Sequence, residues 1–140
     1  MKYILPLLIL LSACSTPYKP SHGGTGYSDT QVNTDSFIVG FKGGSPLRTK
    51  ELALLRSAEV TLANGYSYFV VTQVDDLSTV RTHTEPYGYS IHDRYYLYQD
   101  RTHTVTKPHF VYTIVCYEDR PPHSYDAKMV LKNMSAKYLN

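Results

Sequence analysis

The chain of 140 residues has no tryptophan and only two cysteines, Cys14 and Cys116. Two cysteines cannot build the disulfide framework that staples small secreted domains with thin cores. Charge of one sign is scarce as well. Lys and Arg number 14 against 12 Asp and Glu, a formal balance of +2, which excludes the basic excess of a nucleic-acid-binding surface. Long hydrophobic runs are missing: Tyr3 to Leu11 spans nine residues, against the roughly 20 that a membrane-spanning helix needs. Enzyme signatures are missing too. There is no Gly-x-Ser-x-Gly elbow, no His-Glu-x-x-His and no phosphate loop, and each of those supplies a specific nucleophile, metal or anion site. Asp75-Asp76 is a carboxylate pair at a strand end, but neighbours in a strand point to opposite faces. The reading is therefore non-enzymatic, with no cofactor and no nucleic-acid partner. With 42% hydrophobic and 19% charged residues, the composition is that of one small globular domain rather than a rod or a disordered chain.

The N-terminus carries the clearest signal. Met1-Lys2 places one positive charge before the apolar run Tyr3–Leu11, and Leu11-Ser12-Ala13-Cys14 follows. A short basic start and an apolar stretch of this length are the parts of a secretory signal peptide. The last four residues resemble the bacterial lipobox. Small residues let an extended backbone enter a peptidase cleft, and the thiol is the nucleophile that takes a diacylglycerol. The resemblance implies removal of residues 1–13 and lipidation of Cys14, with palmitate-type acyl chains on its sulfur and amine. Several acyl chains hold a protein on a bilayer far more firmly than one. Ser15 resembles the outer-membrane class of such lipoproteins. The expected location is thus the cell outer membrane, with the domain in the periplasm and the membrane itself a partner through Cys14. The alternative is an ordinary signal peptide cut near Ala13.

Residues 15–26 (STPYKPSHGGTG) are rich in Pro, Ser and Gly without apolar periodicity. They read as a flexible tether, able to reach about 40 Å if fully extended. The domain is expected over 27–140. Ser36–Lys42 alternates Phe37, Val39 and Phe41 with Ile38, a strand pattern. Leu47–Asn64 is a helix, with Leu52, Leu55, Ala58 and Leu62 in one stripe and Gly65 as its left-handed stop. Glu59 falls in line with that stripe, either at its edge or as a paired, buried acid. Tyr66–Val74, Arg94–Gln99 and His109–Glu118 are strands, with Asp100–Pro108 a polar connection. Ser124 is a candidate cap for a final amphipathic helix through Ala127, Val130, Leu131, Met134 and Tyr138. The order strand-helix-strand-strand-strand-helix predicts an α+β domain, a sheet of about four strands with two helices on one face. The first two strands would run parallel if adjacent.

Gly26-Tyr27-Ser28-Asp29-Thr30-Gln31, then SFIVGFKG, then LLRSAEVTLANGYSYFVV resemble a proteobacterial family of small outer-membrane-type lipoproteins. The shared parts are a lipobox, a Tyr-Ser-Asp-Thr-Gln segment, a Phe-rich strand, and an Ala-Glu helix followed by Gly-Tyr-x-Tyr-Phe. The resemblance implies address and fold, and brings no activity or cofactor.

Tyrosine is abundant, at fourteen residues. Tyr87, Tyr89, Tyr95, Tyr96 and Tyr98 cluster within twelve positions and form the candidate binding surface, with another envelope protein as the expected partner. Tyrosine offers large contact area and a polar tip. In a strand, Tyr96 and Tyr98 share one face, and Tyr95 lies on the other with Leu97. Arg81-Thr82-His83-Thr84 recurs as Arg101-Thr102-His103-Thr104, a repeat that places the copies at comparable ends of neighbouring strands. With His92 and His109 these offer four imidazoles, and the alternative function is a sensor or binding protein for a metal, glycan or small ligand. No His-x-His or His-x-x-x-His pair supports a metal directly. Cys116, in an apolar strand run, reads as a buried free thiol. Tyr27–Gln31 reads as a polar turn that seats Tyr27.

Overall fold

The structure, a computed structural model, describes residues 18–91 and 95–139, with the backbone alone for 89–91 and 95–98. Among the described residues there are seven strands and two helices. The strands are β1 (Gly26–Asn33), β2 (Ser36–Lys42), β3 (Tyr68–Asp76), β4 (Thr79–Ile91), β5 (Tyr95–Lys107), β6 (His109–Tyr117) and β7 (Tyr125–Asp126); the helices are α1 (Pro46–Ala63) and α2 (Ala127–Tyr138).

The domain is α+β, but its sheet differs from the expected one. Five strands pair in the order β1-β2-β6-β3-β7, every neighbour antiparallel, and β4 and β5 form a separate two-stranded sheet. The strands before and after α1 do run parallel, but β6 lies between them. The crossover therefore skips one place, and no parallel ladder forms. The second helix packs along α1 rather than on the sheet. Three strands lie outside the expected set: β1, read as a turn; β4, in a stretch with no expected strand; and β7, a two-residue edge.

Local chemistry explains the helix ends. Ser45 accepts a bond from the Arg48 N–H at 3.3 Å, and Pro46 fills the first turn, where an N–H has no partner to lose. Gly65 stops α1 with φ +84°. Asp126, not Ser124, caps α2, accepting from the amides of Lys128 and Met129. Ser124 instead bonds the Pro121 carbonyl.

The core lies between the sheet and α1. Phe37, Val39 and Phe41 come from β2, and Phe110, Tyr112, Ile114 and Cys116 from β6. Phe69 joins them from β3, and Leu52, Leu55 and Ala58 close the layer from α1. Each fully buried Leu or Phe stabilises the domain by about 1.5–3 kcal/mol relative to an exposed position. Inside α1, Ser57 and Thr61 are buried, and their hydroxyls bond the carbonyls of Ala53 and Ser57. That back-bonding satisfies them without breaking the apolar layer.

β3 carries a bulge. Val71 faces Ile114 but Gln73 faces Thr113, so Thr72 is the extra residue. Beyond it the register is constant. Asp76 faces Phe110, Leu77 donates its N–H to the His109 carbonyl at 2.8 Å, and Thr79 faces Lys107. β4 and β5 thus continue the β3–β6 pair with no residue inserted. The result is one antiparallel ribbon whose outer part, thirteen pairs long, extends about 40 Å beyond the domain at ~3.3 Å per residue.

Candidate functional site

The ribbon is where the predicted binding residues fall. Tyr87 lies in β4, 48% exposed. Tyr89 stands in register opposite Leu97, Tyr95 opposite Ile91, Tyr96 opposite Ser90 and Tyr98 opposite Gly88. Residues paired across an antiparallel ladder share a face. Tyr87, Tyr89 and Tyr95 therefore belong to one face of the outer ribbon, and Tyr96 and Tyr98 to the other. His92 lies outside the described residues, as does Cys14.

The repeated tetrapeptide is a cross-strand pair. His83 faces His103, Thr82 faces Thr104, and Thr84 faces Thr102, with the last two hydroxyls 3.4 Å apart. One face of the ribbon shaft carries Arg81, His83, Glu85 and Tyr87 beside Val105, His103, Arg101 and Gln99. His83 Nε2 lies 3.0 Å from Glu85, and the Arg101 guanidinium sits 4.4 Å above the Tyr87 ring. The other face carries Val80, Thr82, Thr84 and Pro86 beside Thr106, Thr104, Thr102 and Asp100. All side chains described between 79 and 107 are exposed. β4 and β5 pack on each other and on no helix to any substantial extent. A two-stranded ribbon has two unpaired edges and is only marginally stable by itself in water. Pro86 removes one edge donor, and Thr, Val and Tyr supply strand propensity on both faces.

The three described imidazoles of that set do not converge. His83 and His103 are paired in the shaft, whereas His109 sits at the root, opposite Lys42. Among the described residues no three His, Cys, Asp or Glu side chains are grouped to hold a metal. The root itself is well tied. Ser78 Oγ accepts the His109 N–H at 3.0 Å, and the Pro108 carbonyl accepts the Gly43 N–H at 2.9 Å.

Burial, and secondarily the Lys42 charge, hold the His109 pKa below its ordinary value of 6.5. The unfolded chain therefore takes up this proton at a higher pH than the folded one. The stability His109 contributes is present at neutral pH and is lost as pH falls from about 6.5 through its native pKa. An NMR titration of the His109 ring should give a midpoint below 6.5. Lys42→Met should raise that midpoint without restoring it fully, because burial is the larger cause. A midpoint at or above the ordinary value would contradict the packing of the root.

A second constellation fixes the N-terminal segment. Tyr18 donates to Glu59 at 2.5 Å, and Arg56 bonds Asp29 at 2.7 Å and Glu59 at 3.0 Å. Arg56 also lies 4.1 Å above the Tyr27 ring. Burial and then the bond to Glu59 push the Tyr18 phenol strongly upward, so it stays a donor. For Arg56, burial pulls its pKa down, but the bonds to Asp29 and Glu59 more than offset this and hold it charged. Glu59 is thus a paired, half-buried acid. Tyr27 and Asp29 of the Tyr-Ser-Asp-Thr-Gln segment reach Arg56 because β1 sets alternate residues on the α1 side.

Residues 18–25, read from the sequence as part of the tether, are seated on the domain. The Ser21 N–H bonds the Tyr27 carbonyl at 2.8 Å, and the Tyr27 N–H bonds the Lys19 carbonyl at 2.9 Å. The Tyr18 ring stacks with Phe41 at 6.1 Å and tilts against Tyr27 at 4.9 Å. Gly26, at φ +135°, is where the segment doubles back.

Cys116 is a buried free thiol, 3.4 Å from the Thr61 hydroxyl. Burial raises its pKa and leaves it protonated and unreactive. No helix among the described residues is long and apolar enough to cross a membrane. No protein-family model, curated protein or solved structure matches the chain, so its reading rests on its own residues.

Proposed function

We propose that the chain is a non-enzymatic interaction module of the bacterial cell envelope, anchored to the outer membrane by lipid on Cys14, with the β4–β5 ribbon as its contact arm. The lipobox-like Leu11-Ser12-Ala13-Cys14 and the small-lipoprotein motifs support the address. The observation that carries the contact role is the ribbon itself: nine described pairs, from Thr79–Lys107 to Tyr87–Gln99, exposed on both faces, with both edges unpaired. Unpaired strand edges are templates for β-addition by another chain. The exposed Thr82, Thr84, Thr102 and Thr104 favour an extended partner strand over a buried ligand. The edge-bearing shaft is the part that meets an envelope protein.

In-cell photo-crosslinking tests this. A photoreactive residue at Thr84 or Thr104 should give discrete adducts in intact cells, and the same residue at exposed Lys132 on α2 should give none. Adducts from Lys132 alone would move the contact surface to the helices and remove the ribbon from the reading.

A further inference from the structure

The two edges of the ribbon shaft differ in what they can meet. Leu77 gives its N–H to the His109 carbonyl, and the register runs on through β4 and β5 with no inserted residue. Backbone groups alternate from side to side along an antiparallel strand. Thr79, Arg81, His83 and Glu85 therefore bond β5, whereas Val80, Thr82, Thr84 and Pro86 turn their backbone groups to the open edge. Pro86 has no N–H to give β5, and it falls on the outward side, where a strand tolerates proline. The side chains of 79–87 are exposed, and β4 packs on no element but β5 to any substantial extent.

We propose that this edge is occupied by β4 of a second copy of the chain, antiparallel about a twofold axis at His83. This deepens the proposed function by naming the occupant of one ribbon edge, and it rests on the reading of the shaft as a contact surface. In an antiparallel pairing, outward residues stand opposite outward residues. With the axis at His83, Thr82 faces Thr84 of the second copy, Val80 faces Pro86, and Arg81 faces Glu85, each contact made twice. The strand is thus complementary to itself in charge. Within its own chain Arg81 faces Val105, while Glu85 faces Arg101 and lies 3.0 Å from His83. Arg81 therefore gains a carboxylate directly opposite it from the second copy, and such cross-strand pairs stabilise a sheet. β5 has no equivalent. Asp100 alternates with Arg101, His103 and Lys107 along that strand, so no antiparallel pairing of β5 with itself sets an acid against a base. Self-pairing also answers the weakness of the shaft. Two strands alone are marginal in water, and two ribbons joined through β4 make four. The contact is the same patch on both copies, so it closes at two. It leaves the β5 edges available to another envelope protein.

Full-length chain purified in detergent micelles should sediment as a dimer that dissociates on dilution. Arg81→Glu sets an acid against Glu85 of the second copy at both contacts, and Glu85→Arg sets a base against Arg81. Each variant alone should weaken dimerisation by about tenfold or more, since like charges then stand directly opposite. An equimolar mixture of the two variants should restore the dimer, because each chain again meets opposite charge at both contacts. That rescue also shows both variants to be folded. His83→Cys tests the axis. Opposed residues of a non-hydrogen-bonded pair stand about 4.5 Å apart at Cα, within disulfide reach. Mild oxidation should therefore link position 83 to position 83, and peptide mapping separates that bond from any through Cys14. Thr82→Cys, about 7–8 Å from its own copy, should link several-fold less. A parent chain that is monomeric at every concentration, single variants as dimeric as the parent, a mixture that stays monomeric, or growth beyond two copies overturns the proposal. If a photoreactive residue at Thr84 then captures only other proteins, the contact reading of the shaft stands and self-pairing alone falls.

Discussion

Excision of the ribbon should leave the domain standing and abolish its envelope contacts. The variant replaces 79–107 by Gly-Asn-Gly-Ser, joining Ser78 to Pro108. Leu77 and His109 already face each other across an antiparallel pair, so a short flexible connection can close the two strands. Among the described residues, none of the buried core comes from 79–107. The side chains described there are exposed, so little apolar burial is lost. Loop closure becomes easier as well, because the connection shortens. The melting temperature should therefore stay within a few degrees of the parent, since a shift of that size corresponds to about 1 kcal/mol or less. The crosslinks from the shaft positions should vanish with the ribbon, while any contact made by the rest of the chain persists. Collapse of the fold on excision would mean that the ribbon is structural and not an arm.

Gly26→Ala should have the opposite signature, a loss of stability with the ribbon intact. Gly26 sits at φ +135°, and a Cβ there would lie 2.2 Å from the Lys19 carbonyl oxygen. Backbone blocks the space, so the neighbour cannot turn aside as a flexible side chain would. An L-residue at such a φ is itself strained by about 1–3 kcal/mol. The expected outcome is release of residues 18–25, with a loss of about 2–3 kcal/mol. By thermal denaturation this would appear as a fall of roughly 5–15 °C. Hydrogen exchange should speed up at the Ser21 and Tyr27 amides, whose partners are Tyr27 and Lys19, and remain slow at core amides of β6. Release also lengthens the free reach between Cys14 and the domain from about 14 Å to about 40 Å. Unchanged exchange at Ser21 and Tyr27 would show that the segment is not held as described.

Much of the core was legible because its signals are local and strongly periodic. Phe37, Val39 and Phe41 alternate, and Leu52, Leu55 and Ala58 step with the helical turn, so β2 and α1 stand out in the chain. Pairing order was not legible. The chain does not write down that β6 inserts between β2 and β3, since only long-range burial selects it. β1 escaped notice because Ser28 and Thr30 are polar and Tyr27 and Asp29 work through a cation rather than an apolar layer. Glu59 could be read two ways until Tyr18 and Arg56 were seen to share it.

The ribbon was missed for a clearer reason. Strand recognition leans on one buried face, and the described part of β4 and β5 buries neither. With Thr, Arg and His on both sides, the stretch read partly as loop. The repeated Arg-Thr-His-Thr was the available signal. The two copies pair with each other across the strands, His83 opposite His103, as antiparallel neighbours do. Tyr95, Tyr96 and Tyr98 were placed on a strand whose extent was underestimated, since β5 runs on through the expected connection to Lys107.

The most direct measurement is the mass of the N-terminal fragment released from the membrane-extracted chain. It should begin at Cys14, with diacylglycerol on sulfur and a further acyl group on the amine. A fragment that begins elsewhere, or that carries Cys14 as a free thiol, would contradict the anchor.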